Sequence, residues 1–180
     1  LLSPIQTLQA DVLQLIVESD GGVLEESSIR MRLKKPGGFY WETIEPFPEL
    51  IVTDGETLWN YQPDLEQVVV EPWQSENSEL AAQLLSGDTS GLQQDYALER
   101  YAETGFDRFT LLPLDADSPY RQIRLDFSSG ALTTIHIDSL SGEQTVWQFE
   151  GIELNEPLAD ELFVFTPPEG IEVVNNRYVQ

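Results

Sequence analysis

Between Asp11 and Val174 the chain changes side at almost every residue: apolar and polar positions alternate in short runs, and most runs close on Gly, Pro, Asp or Ser. A strand sends successive side chains to opposite faces, so a period of two with evenly spaced turns dictates antiparallel sheet. Strands are expected at 11–18, 23–34, 39–44, 50–52, 57–62, 67–71, 96–102, 108–112, 121–127, 132–137, 145–150 and 171–174. Asp20-Gly21-Gly22, Thr53-Asp54-Gly55, Ser129-Gly130 and Ser141-Gly142 supply the turns. The fold class is mainly β (α+β): a large antiparallel sheet of about eleven strands, curled into a barrel or half-barrel, in a single domain, residues 1–180.

Two short helices are expected beside the sheet. Leu1–Gln9 has Ser3 as a cap, Pro4 at the first helical position, and Ile5 and Leu8 on one side. In the insertion 75–91, Ser78 can cap a helix whose stripe is Leu80, Ala81, Leu84 and Leu85, with Gly87 ending it. Asp160–Phe163 reads as a helical turn. One strand parity is bulky (Leu13, Leu15, Met31, Leu33, Phe39, Trp41, Ile123, Leu125, Phe127, Ile135, Ile137, Trp147, Phe149), and the other is mostly polar (Arg30, Arg32, Gln122, Arg124, Asp126, His136, Gln148). An antiparallel sheet with one wet face has this pattern. Two small helices are a thin cover for the bulky side, so the interior is either filled by its own side chains or holds a cavity.

Charge narrows the function classes. There are 32 Asp+Glu against 9 Lys+Arg, a net charge of −23. Nucleic acid is excluded as a partner, since its phosphates demand a basic footprint. The same acidity repels anionic bilayers and favours a soluble monomer. No apolar run approaches the ~18 residues a spanning helix needs. There is no cysteine, so neither disulfide nor thiolate chemistry is available. The chain starts at Leu1 without Met, as after removal of a secretory signal or at a chosen boundary.

Four of the nine cations fall between Arg30 and Lys35, and Phe39, Tyr40 and Trp41 follow. Lys35 takes the parity of Met31 and Leu33, where an ammonium either snorkels to water or serves a purpose at the rim of the apolar face. Arg30, Arg32 and Lys34 take the outer parity, as a solvated face or a docking surface. No catalytic residue, metal site or cofactor site is expected. His136 is the sole histidine and is expected to face solvent, zinc clusters would need several His or Cys, and the glycines all read as turns. The carboxylates lie mainly in turns and on outward parities, so an acid pair for hydrolysis is the lesser reading.

Three stretches carry a resemblance: Arg32-Leu33-Lys34-Lys35-Pro36-Gly37-Gly38-Phe39-Tyr40-Trp41, Leu50-Ile51-Val52-Thr53-Asp54-Gly55-Glu56-Thr57-Leu58-Trp59-Asn60-Tyr61 and Phe165-Thr166-Pro167-Pro168-Glu169-Gly170-Ile171. In order and spacing the chain resembles the periplasmic outer-membrane lipoprotein carriers, the LolA family. The resemblance implies an unclosed barrel with helices as a lid over a hydrophobic interior. It implies a non-enzymatic chaperone that takes acylated lipoproteins from the inner membrane to the outer membrane. Leu15, Met31, Leu33, Phe39, Trp41 and Val52 would then bind the acyl chains. Leu80, Ala81, Leu84 and Leu85 would form the lid, with Leu8 in a second lid, and Lys35 would gate it. An inner-membrane ATP-driven release complex and an outer-membrane acceptor lipoprotein would be the partners. Lys35 stands where the family has arginine, and loses the planar fork of donors; Thr53 stands for serine. A lipid- or peptide-sensing periplasmic regulatory domain of the same half-barrel fold, the acceptor itself and a hydrolase are the alternatives.

Overall fold

The computed structural model describes residues 5–73, 84 and 89–176. Twelve strands follow in chain order: β1 (Thr7–Val17), β2 (Val23–Lys34), β3 (Gly38–Glu45), β4 (Glu49–Thr53), β5 (Thr57–Gln62), β6 (Gln67–Pro72), β7 (Tyr96–Glu103), β8 (Phe106–Pro113), β9 (Tyr120–Ser128), β10 (Ala131–Ser139), β11 (Gln144–Leu154) and β12 (Glu172–Asn175). One short helix, α1 (Thr89–Asp95), precedes β7, and Pro63–Leu65 and Asp160–Phe163 are single 3-10 turns. The hydrogen-bonded order is β12-β6-β5-β4-β3-β2-β1-β11-β10-β9-β8-β7, so the sheet is open and ends on β12 and β7. The ladders within β2–β6 and within β8–β11 are antiparallel, as is β7 on β8. By contrast β12 lies parallel along β6. The large, mainly antiparallel sheet expected from alternation is observed with twelve strands, and it is open, as the resemblance implies.

The helix expected at Leu1–Gln9 is corrected: from Thr7 the chain is strand. Leu8, Ala10 and Val12 are buried while Thr7 and Gln9 are half-buried and Asp11 exposed, which is strand periodicity. Residues on either side hold this stretch. The Lys35 amide donates to the Gln6 carbonyl at 2.9 Å, and the Asn155 amide donates to the Thr7 carbonyl at 2.9 Å. Long-range pairing sets the strand from Thr7 onward; Ser3 and Pro4 lie outside the described residues. Of the second expected helix, Leu84 is helical and buried; Ser78, Leu80, Ala81, Leu85 and Gly87 lie outside the described residues. Helix α1 has no counterpart among the expected elements, because its sequence, Thr-Ser-Gly-Leu-Gln-Gln-Asp, has one apolar residue and hence no stripe.

Two compact units divide the described residues: one takes residues 12–27 and 89–150, the other residues 5–11, 28–73, 84 and 151–176. In the first, directly paired residues share a face, so Trp147, Ile135, Leu125 and Phe109 form one apolar row and Ile137, Ile123 and Leu111 the next. Phe109 and Phe127 meet edge to face at 5.7 Å. On β1 the Gln14 amide oxygen accepts from Trp147 Nε1–H at 2.8 Å. Gln14 has the parity of Val12, so the half-buried Leu13 and Leu15 point to the other side. The expectation that Leu15 shares the bulky face is therefore corrected. The alternation of β1 is ambiguous because Ile16 and Leu15 are adjacent and both apolar.

Candidate functional site

The three sequence stretches that carry the family resemblance converge in the second unit. The turn between β2 and β3, Lys35-Pro36-Gly37, lies against the turn between β4 and β5. A Cβ on Gly37 would stand 2.8 Å from the Cα of Gly55, so backbone meets backbone there. Gly55 itself has φ of +98°, which disfavours any side chain. Local hydrogen bonds fix the second turn. The Gly55 amide donates to Thr53 Oγ1 at 3.0 Å, and Asp54 Oδ1 accepts from the amides of Glu56 and Thr57 at 2.9 and 2.8 Å. Threonine thus performs the hydroxyl role at this position.

Beyond these turns, β2 and β3 present one apolar face. Met31 pairs with Trp41, Leu33 with Phe39 and Ile29 with Thr43. Ile29, Met31, Leu33, Phe39 and Trp41 are all buried, and Phe39 stacks on Trp41 at 6.0 Å. The face continues through Thr53, opposite Phe39, and Ile51, opposite Trp41. Of the six expected acyl-binding residues, the structure brings together these four: Met31, Leu33, Phe39 and Trp41.

Val52 is the correction. It pairs with Tyr40 and Trp59, on the opposite side of the sheet from Phe39 and Trp41, yet is only 1% exposed. The C-terminal segment explains its burial. Lys34 Nζ donates to the Leu158 carbonyl and to Asp160 Oδ1, both at 2.6 Å. Phe163 then sits over Gly38, where a Cβ would come within 2.9 Å of its ring. Further along, Phe165 stacks on Tyr61 at 5.2 Å. Residues 158–165 therefore strap the side of the sheet that carries Lys34, Gly38 and Tyr61, with Val52 in between, and β12 closes the segment against β6. The expected outer cations are accordingly engaged within the molecule. Lys34 anchors the strap, Arg32 lies over the Tyr40 ring at 4.9 Å, and Arg30 pairs with Glu42 at 3.4 Å. Lys35 is half-buried in the turn at the end of β2. Leu8 is buried on β1, not on a helix.

The polar side of β8–β10 in the first unit, expected to be wet, is partly closed. Asp126 and Asp138 are buried there. Arg108 grips both oxygens of Asp126 at 2.7 and 2.8 Å, and this bidentate pair holds the carboxyl below its ordinary range against the cost of burial. Asp138 accepts from Gln122 Nε2 at 2.6 Å. His136 is half-buried between them, and desolvation first, then Arg124, lowers its pKa. His136 lies on the polar side, as its parity predicts, and the expectation that it faces solvent is corrected to half-burial there. The polarity of the row is legible in the sequence but its pairing is not, since Arg108 and Asp126 come from separate strands. Among the described residues no group of three or more His, Cys, Asp or Glu could hold a metal, and no helix is long and apolar enough to cross a membrane.

Comparison with known proteins gives this geometry a family. A model described as the outer membrane lipoprotein carrier protein LolA matches residues 3–166. An outer-membrane lipoprotein carrier protein of Chromohalobacter salexigens is 33% identical over 174 residues, covering 97% of this chain and 83% of that protein. Its counterpart in Azotobacter vinelandii is 36% identical over 174 residues, covering 97% and 84%. Among solved structures, an uncharacterized conserved protein from Thermus thermophilus superposes with a TM-score of 0.59 at 14% identity, over 95% of this chain and 91% of that one, a likeness of fold alone. Near-complete coverage at these identities, with the motif turns in contact, establishes that the chain belongs to the LolA family of outer-membrane lipoprotein carriers.

Proposed function

We propose that this protein is a periplasmic chaperone that binds the acyl chains of lipoproteins released from the inner membrane and hands them to an outer-membrane acceptor. The observation that carries the proposal is the buried apolar face of β2 and β3, in a chain whose relatives are named outer-membrane lipoprotein carrier protein. The need for such a face is energetic. Each CH₂ in water costs about 0.8 kcal/mol, so one chain of roughly 15 methylenes is held back by on the order of 12 kcal/mol. A soluble carrier must supply apolar surface equal to that of a bilayer, and must also let go. Met31, flexible and polarizable, and the stacked Phe39 and Trp41 offer an adaptable surface to disordered tails. Leu84 belongs to the cover that acyl chains displace, and Lys35, at the turn beside this face, gates that exchange. An inner-membrane ATP-driven release complex and an acceptor lipoprotein of the outer membrane are the partners, and the carrier works as a monomeric single domain without catalysis.

The test is transfer of a triacylated lipoprotein out of vesicles. Leu33→Glu puts a carboxylate on the apolar face and should abolish uptake; Met31→Asn should reduce it with less risk to folding. Circular dichroism identifies folded variants. Wild-type uptake by a folded Leu33→Glu variant would remove the apolar face from the mechanism.

A further inference from the structure

Among the described residues, strand β7 is one of the two edges of the sheet and pairs on one side, with β8, through an unbroken register of eight pairs from Tyr96–Pro113 to Glu103–Phe106. Every residue from Ala97 to Glu103 is exposed. Along the other side, where no strand of the described residues pairs, alternate residues direct N–H and C=O groups outward, a template for a further strand. Proteins usually blunt such an edge with proline, a bulge or an inward lysine, and β7 has none of these. Its other device is charge: Glu99 and Glu103 lie on one face with Tyr101 between them, while Arg100, on the other face, is held by Asp107 at 2.6 Å.

We propose that β7 accepts an extended basic segment of a partner chain by strand addition. Backbone pairing would supply the affinity, and Lys or Arg at alternate positions would meet Glu99 and Glu103. A second copy of this chain is a poor occupant. Two-fold pairing of antiparallel strands centres a residue on its own mate, and the two registers that keep nearly all of β7 paired centre on Glu99 or on Arg100. Either puts like charges face to face, between bodies that each carry −23. An acidic strand meets the same repulsion, whereas Glu99, Glu103 and the net charge of −23 attract a cationic one.

The experiment uses the whole protein, an alternating Lys–Val octapeptide and its Glu–Val counterpart, read by amide hydrogen exchange. The Lys–Val peptide should slow exchange in 96–103 by about tenfold or more while β10 is unchanged, and added salt should weaken the effect. The doubly substituted variant Glu99→Lys, Glu103→Lys, altered only at exposed positions, should exchange the preference and take the Glu–Val peptide. Exchange in β7 unaltered by the Lys–Val peptide overturns the proposal. So does a preference that survives the charge swap, or dimerisation of the wild type through β7 in sedimentation.

Discussion

On β9 and β10 the side opposite Leu125 and Ile135 carries Arg124, Asp126, His136 and Asp138. On β4 to β6 the side opposite Ile51 carries Val52, Trp59 and Val70. Both surfaces are largely withdrawn from water, but by different means. The first unit pairs polar groups inside one face: Arg108 with Asp126, Gln122 with Asp138. The second makes that side apolar and brings a remote segment, residues 158–165, to cover it. The comparison shows that strand parity states which residues share a side, while the company of that side decides whether it is buried.

The strap makes the most costly target. Phe163 is buried against Gly38, and truncation leaves a void that the sheet backbone cannot close. Phe163→Ala should destabilise the protein by about 3–5 kcal/mol in urea denaturation. A loss below about 1 kcal/mol would show that the strap is laid on the sheet without supporting it.

On the charged side, Asp126→Asn removes one ionic partner and leaves Arg108 without its bidentate acceptor. A loss of about 1–3 kcal/mol is expected near neutral pH. The sign with pH follows from the depressed folded-state pKa of Asp126. Its ionised form contributes stability above the ordinary carboxylate pKa, and that contribution fades as pH falls through the folded value. Wild type and variant should therefore converge in acid. A gap that stays constant from neutral pH into acid would mean that the pair acts through packing rather than charge.

How far the sequence can be read follows the same division. The bounds of Val23–Lys34 and Thr57–Gln62 and the turn at Asp160–Phe163 are legible, because alternation and turn chemistry are local. The apolar set Met31, Leu33, Phe39 and Trp41 is legible for the same reason, since one hairpin brings its two strands together. The place of Val52 is not, because nothing local tells that the distant segment 158–165 covers its side of the sheet. Lys34 reads in the sequence as an outer cation, since its anchor, Asp160, is 126 residues away. The strand character of Leu8 is not legible locally, because the bonds that set it come from Lys35 and Asn155. In each case the missing information is the identity of a distant neighbour.

The finest distinction between the two surfaces rests on His136. It sits half-buried on the polar side of β10, with Arg124 opposite on β9, Arg108 and the Asp126 carboxylate beyond, and Asp138 along its own strand. Burial and the two arginines oppose its protonation, the two carboxylates favour it, and the net effect is a folded-state pKa below the ordinary value. The unfolded chain then binds more protons than the folded one as pH drops through about 6.5, so stability contributed by the neutral ring is present above that pH and lost below it. His136→Gln should flatten this part of the stability curve with little change at higher pH, the smallest of the three effects. The measurement is urea denaturation at closely spaced pH values. An unchanged slope in the variant would assign the pH response to the carboxylates and leave His136 as a spacer between two salt bridges.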